Sequence, residues 1–162
     1  MTTAHPTYPL TLLYDASCPV CRLEMDELRH RNAQGRLLFV NISAPDFDLA
    51  QHWPPAAHGN VSGLPTLQDM NAALHGIGPD GQVYTGVETI RLAYAAVGLG
   101  WLWAPTRWSL LRPLADAAYR WFASHRYEIS AHLLPLVGRI EQKRAQARMA
   151  RMQRCHEGHC EM

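Results

Sequence analysis

The sequence predicts an α/β fold: a parallel strand pair joined by a crossover helix, extended by a hairpin, and followed by a C-terminal helical extension. Three observations carry this. Apolar runs and helical stripes alternate in the order strand, helix, strand, helix, strand, strand, helix, which suits a right-handed crossover. Pro79-Asp80-Gly81 is a hairpin turn in which Pro sets φ and Gly accepts positive φ. After Gly98 the composition shifts toward Trp, Arg and long helical stretches. With 162 residues, 48% of them hydrophobic and 18% charged, the chain can bury a core, which excludes a disordered or collagen-like protein.

Leu10 to Tyr14 is a short apolar strand. Pro19 suits the first position of a helix, where its missing N–H costs nothing, and Cys21, Met25 and Leu28 then repeat at helical spacing. Asp26/His30 and Glu27/Arg31 are spaced to pair on the outer face. Gly35 ends that helix, and Leu37 to Val40 is a buried strand. A loop-rich stretch follows, with Pro45, Pro54, Pro55, Gly59 and Gly63. Thr66 and Asp69 form a capping-box pattern ahead of a short helix from Leu67 to Leu74. The hairpin arms are Leu74 to Gly78 and Gln82 to Thr85. Thr85 and Glu88 give a second capping pattern before the stripe Val87, Ile90, Tyr94, Val97. Beyond Gly98, one helix is expected from about Pro113, with Leu114, Ala118, Trp121 and Phe122 inward. A separate last helix is expected from about Arg139 to Arg154, beyond Pro135. Trp101, Trp103, Trp108, Trp121 and Phe122 are expected to pack this extension onto the core. The organisation reads as residues 1–98 for the α/β domain, 99–154 for the helical extension and 155–162 for a Cys/His tail.

Charge excludes some partners. Fifteen basic residues against fourteen acidic give a net charge of +1, with no basic field to recruit nucleic acid. The longest stretch without Asp, Glu, Lys, Arg or His, between Arg91 and Arg107, holds 15 residues, short of the roughly 20 a membrane span needs. Met1 to Leu10 has no basic start and no long apolar run, so no signal peptide is expected. The reading is a soluble, cytoplasmic protein.

The four Cys fall in two close pairs, Cys18/Cys21 and Cys155/Cys160, which points to redox chemistry or metal binding rather than to a disulfide scaffold. In Asp15-Ala16-Ser17-Cys18-Pro19-Val20-Cys21, a strand delivers Cys18 to the mouth of a helix. The dipole and the unpaired N–H groups there favour a thiolate. Cys18 is therefore expected to be the nucleophile, the more exposed and more acidic thiol. Cys21, nearly one turn deeper, is placed to resolve a mixed disulfide. Asp15 is placed to relay a proton. The same residues also fit half of a four-ligand zinc site, or two structural thiols, with Asp15 tying down the turn through the backbone.

Leu12-Leu13-Tyr14-Asp15-x-x-Cys18-Pro19-x-Cys21 resembles the signature of the DCC family of thiol-disulfide oxidoreductases, D-x-x-C-x-x-C. The resemblance continues in Phe39-Val40-Asn41-Ile42, in Asp80 to Gly86, and in Arg112 to Asp116 with Tyr119-Arg120-Trp121, covering about Leu10 to Tyr127. It implies a thioredoxin-like fold, thiol–disulfide exchange, and Asp15, Cys18 and Cys21 as the signature positions. The partner is then a disulfide-containing protein or a small thiol, and no cofactor is expected beyond the dithiol. Ala16 stands where such sequences usually have Gly. Gly63-Leu64-Pro65-Thr66 spells the segment that carries a cis-proline in thioredoxin-like proteins. Here a helix follows it, so Pro65 reads as a loop or helix-start proline.

The tail, Cys155-His156-Glu157-Gly158-His159-Cys160, offers two sulfurs and two imidazoles. Cys155, His156, His159 and Cys160 are candidate ligands for zinc or copper, or the two Cys form a second dithiol relaying electrons to the first. A metal-binding protein built on these pairs, and a non-catalytic thioredoxin-like interaction module, are the alternatives to the enzyme.

Overall fold

The computed structural model describes residues 8–54 and 64–156, with residues 151–156 given by backbone alone. The elements are β1 (Leu10–Tyr14), α1 (Pro19–Arg31), β2 (Leu37–Asn41), α2 (Leu49–His52), α3 (Leu67–Ala72), β3 (His75–Ile77), β4 (Val83–Thr85), α4 (Val87–Ala96), a 3-10 helix (Gly100–Arg107) and α5 (Arg112–His156). The sheet order is β2-β1-β3-β4. β1 and β2 run parallel through the α1 crossover, with Leu12 opposite Phe39. β3 is antiparallel to both β1 and β4. This is the thioredoxin-like sheet with flanking helices and a C-terminal helix that the sequence predicts.

β1 is the central strand, buried at all five positions. Its side chains alternate between faces. Leu10, Leu12 and Tyr14 pack with Met25 and Leu28 of α1 and with Ala93 and Ala96 of α4. Leu13 faces the other way, onto Ile42, Trp53, Met70 and Ile77. One strand thus ties two apolar layers together.

Local signals set the helix starts. Thr66 and Asp69 make the expected reciprocal capping box on α3. The Leu64–Pro65 bond is trans, since Tyr8–Pro9 is the only cis peptide among the described residues, and Pro65 sits just before that cap. The second capping pattern is a correction. Gly86, at φ 60°, is the N-cap of α4 and makes no side-chain cap bond, while Glu88 is ion-paired with Arg91. On α1, Arg31 pairs with Glu27 at 2.6 Å as expected, whereas Asp26 takes Arg29 instead of His30.

The C-terminal part differs most from expectation. The two predicted helices are one, α5, 45 residues long with Pro135 inside it. Proline removes the bond to the carbonyl four residues back. That carbonyl belongs to Ala131, which is exposed, so water can take it. The inward stripe of α5 is also shifted. Leu114 and Trp121 are exposed, Phe122 is inward as expected, and Tyr119, Arg126 and Ser130 face the domain in place of the other two. Of the aromatic belt, Trp103 packs inward against Tyr94. Trp101 and Trp108 are 71% and 68% exposed, a correction to their expected packing. Among the described residues, no helix is long and apolar enough to cross a membrane.

Candidate active site

Tyr14 ends β1, and the chain turns through Asp15, Ala16 and Ser17 into α1. Asp15 shapes this turn: one carboxylate oxygen accepts the Ser17 backbone N–H at 2.9 Å and its hydroxyl at 2.6 Å. Asn41, at the end of the neighbouring β2, holds the next residue by accepting the Ala16 N–H at 3.0 Å. No non-glycine residue among those described has positive φ, so Ala at position 16 is unstrained.

Cys18 is the N-cap of α1, and Pro19 opens the helix. Cys18 and Cys21 are joined as a disulfide, with Cα atoms 5.3 Å apart. The Cys21 backbone N–H donates to Cys18 Sγ at 3.3 Å, and no acidic residue lies in the first turn. Negative charge on Cys18 is therefore stabilised by the helix N-terminus and by a dedicated donor.

The other half of the site comes from α5, more than a hundred residues along the chain. Arg126 Nη2 lies 3.3 Å from the second oxygen of Asp15, and the Tyr127 hydroxyl donates to that same oxygen. Ser130 Oγ lies 3.8 Å from Cys18 Sγ. Asp15 is 4% exposed. Burial pushes its carboxyl pKa up, but the Ser17 and Tyr127 hydrogen bonds and the Arg126 charge together outweigh burial and hold it below its ordinary value. Asp15 is thus a carboxylate anchored on both sides, with each oxygen occupied.

The packing of α5 overturns one expectation. Cys18 is 0% exposed, whereas Cys21 is half-buried. On α5, Ser130 lies over Cys18 Sγ and Arg126 pairs with the neighbouring Asp15. Cys21 instead borders a cavity of about 420 Å³ between α1, α4, the 3-10 helix and α5. Its walls are mostly apolar, including Val20, Met25, Ile90, Trp103 and Phe122. Its ionisable lining groups are already paired: Arg126 with Asp15, and Glu24 with the Tyr94 hydroxyl.

The structure brings Asp15, Cys18 and Cys21 together as the sequence places them. It does not bring Cys155 to them. Cys155 and His156 end α5, and Cys155 lies about 37 Å along the helix from Ser130, at 1.5 Å per residue. His159 and Cys160 lie outside the described residues. Among the described residues, no cluster of three or more His, Cys, Asp or Glu is grouped to hold a metal. Sequence reasoning missed Asn41, Arg126, Tyr127 and Ser130. The available signal was the family resemblance, which continues through Asn41 and past the α/β domain as far as Tyr127.

A C-x-x-C pair at the start of the first helix of such a sheet is an arrangement suited to dithiol redox chemistry. The chain belongs to the DCC1-like thiol-disulfide oxidoreductase family, whose model matches residues 12–132. It is 32% identical over 124 residues to an uncharacterized chloroplastic protein of Arabidopsis thaliana. That match covers 76% of this chain and 53% of the relative, so the chain spans about half the length of the curated relative it matches. No solved structure matches the chain.

Proposed function

We propose that the protein is an enzyme of thiol–disulfide exchange, cycling the Cys18/Cys21 pair between disulfide and dithiol at the N-terminus of α1. The observation that carries this is the pairing of the two sulfurs at a helix cap, with a backbone donor on Cys18. Asp15 acts as a positioning residue: it fixes the turn before Cys18 and anchors α5 over it. Both of its oxygens are engaged and its pKa is depressed, which makes it a poor proton relay near neutral pH. The partner is a disulfide-containing protein or a small thiol. A reducing compartment, the cytoplasm in the sequence reading, would keep the pair available as a dithiol.

The test is a redox titration. Full-length protein is equilibrated in dithiothreitol buffers, and the Cys18–Cys21 peptide is followed by mass spectrometry. A two-electron transition, lost in Cys18→Ser, is expected. A pair that stays oxidised under every buffer is structural, and stoichiometric zinc held by Cys18 and Cys21 would move the reading to a metal site. Zinc or copper at Cys155, His156, His159 and Cys160 is a separate proposal, independent of the dithiol.

A further inference from the structure

We infer that the cavity beside Cys21 is a substrate site for small apolar thiols and disulfides, and that exchange enters through Cys21 rather than Cys18. This rests on the oxidoreductase reading and names its substrate class.

Two observations converge. The first is access. Cys18 is fully buried, with Ser130 Oγ 3.8 Å from its Sγ, while Cys21 is the cysteine of the cavity wall. A molecule in the cavity meets Cys21. The second is the chemistry of the walls. About 420 Å³ suits a small molecule. The walls offer hydrocarbon and aromatic surface, and the charged groups that reach them already have hydrogen-bond partners. Arg126 is held by Asp15, and the Glu24 carboxylate accepts the Tyr94 hydroxyl. A thiol bearing carboxylates, such as glutathione, would shed their water while the lining cation Arg126 is already held by Asp15. An alkyl or aryl thiol incurs no such cost and buries its own apolar surface.

The step balances as follows. A substrate thiol, R–SH, loses its proton, and its sulfur bonds to Cys21 Sγ. The Cys18–Cys21 bond breaks, and its electron pair leaves on Cys18 as a thiolate, stabilised by the Cys21 N–H and the helix N-terminus. A second R–SH attacks the substrate sulfur of the mixed disulfide, releasing R–S–S–R and the Cys21 thiolate. Two thiols become one disulfide, the protein disulfide becomes a dithiol, and the two substrate protons end on Cys18 and Cys21. The reverse sequence reduces R–S–S–R, with an external dithiol restoring the pair.

The experiment compares two isosteric probes on reduced full-length protein: di-n-propyl disulfide and bis(hydroxyethyl) disulfide. Each rate is divided by that of free dithiothreitol with the same probe. Burying two methyl groups in place of two hydroxyls should favour the propyl compound about tenfold. Ala123→Phe, which fills the cavity, should collapse that ratio toward one. Peptide mapping of the single-cysteine variants should show Cys21, in Cys18→Ser, taking the propyl group at least tenfold faster than Cys18 does in Cys21→Ser. A ratio near one in the unmodified protein overturns the apolar site. Faster labelling of Cys18 overturns entry through Cys21. Either result leaves the oxidoreductase reading standing if the redox titration shows its two-electron transition. A pair that exchanges with neither probe and shows no transition overturns that reading and this inference together.

Discussion

Asp15 illustrates how one side chain does two jobs with two oxygens. One fixes the turn before Cys18, and the other receives Arg126 and Tyr127 from α5. Asp15→Asn keeps an acceptor for Ser17 but leaves the buried Arg126 guanidinium without its counter-charge. It should lower stability by about 3 kcal/mol in chemical unfolding at neutral pH. The pH dependence follows from the depressed pKa. A carboxyl that ionises more readily when folded stabilises the fold fully above its ordinary value of 3.8, and this is lost as pH falls below it. The gap between the native protein and Asp15→Asn should therefore be constant from neutral pH down to about that value and close below it. A gap that persists unchanged in acid would mean that the Asp15 charge contributes nothing.

At the scale of elements, the α/β part was legible because its signals are local. β1 is an uninterrupted apolar run, the α3 cap is a spaced Thr–Asp pair, and the hairpin turn is Pro-Asp-Gly. At α4 two local signals compete, and the glycine prevails over the capping pattern. Thr85-x-x-Glu88 has capping spacing, but Thr85 is still paired in β4 opposite His75, so the helix begins at Gly86. That glycine is needed twice over: its φ is 60°, and a Cβ there would lie 3.1 Å from the Tyr119 ring. Gly86→Ala should cost about 1–2 kcal/mol, read as a lowered unfolding midpoint. Tyr119→Ala together with Gly86→Ala should lose less than the sum of the single changes if the ring is what crowds the site. The phase of α5 was not legible, because its inward face carries Tyr119, Arg126 and Ser130, which blur the apolar stripe. Its continuity through Pro135 was equally hidden, since a proline in an exposed helix disrupts little that water cannot replace.

At the scale of the molecule, the site is a joint product of two regions that read as separate in the sequence. Composition marks a change at Gly98, yet Arg126 pairs with Asp15, Ser130 lies over Cys18, and Arg144 reaches α1 to pair with Glu27 at 2.6 Å. Long-range pairings of this kind leave no trace in spacing, whereas D-x-x-C-x-x-C does. The far end of α5 leads away from the site. Truncation after Arg154 should accordingly leave Cys18/Cys21 exchange within about twofold and abolish any tight zinc or copper binding, checked by a reductase assay and by metal content. Loss of exchange on truncation would instead tie the tail to the dithiol.

The lock between Asp15 and Arg126 also sets an order of events on the ribosome. Cys18 leaves the exit tunnel 112 residues ahead of Ser130, the α5 residue that lies over it. In between, the growing polypeptide carries a reactive thiol that α5 does not yet cover, open to glutathione or to another nascent chain. Chains arrested before Arg126 emerges should be alkylated readily at Cys18, and chains arrested well beyond Ser130 should be protected. Uniform protection at both lengths would mean that the α/β part hides Cys18 unaided.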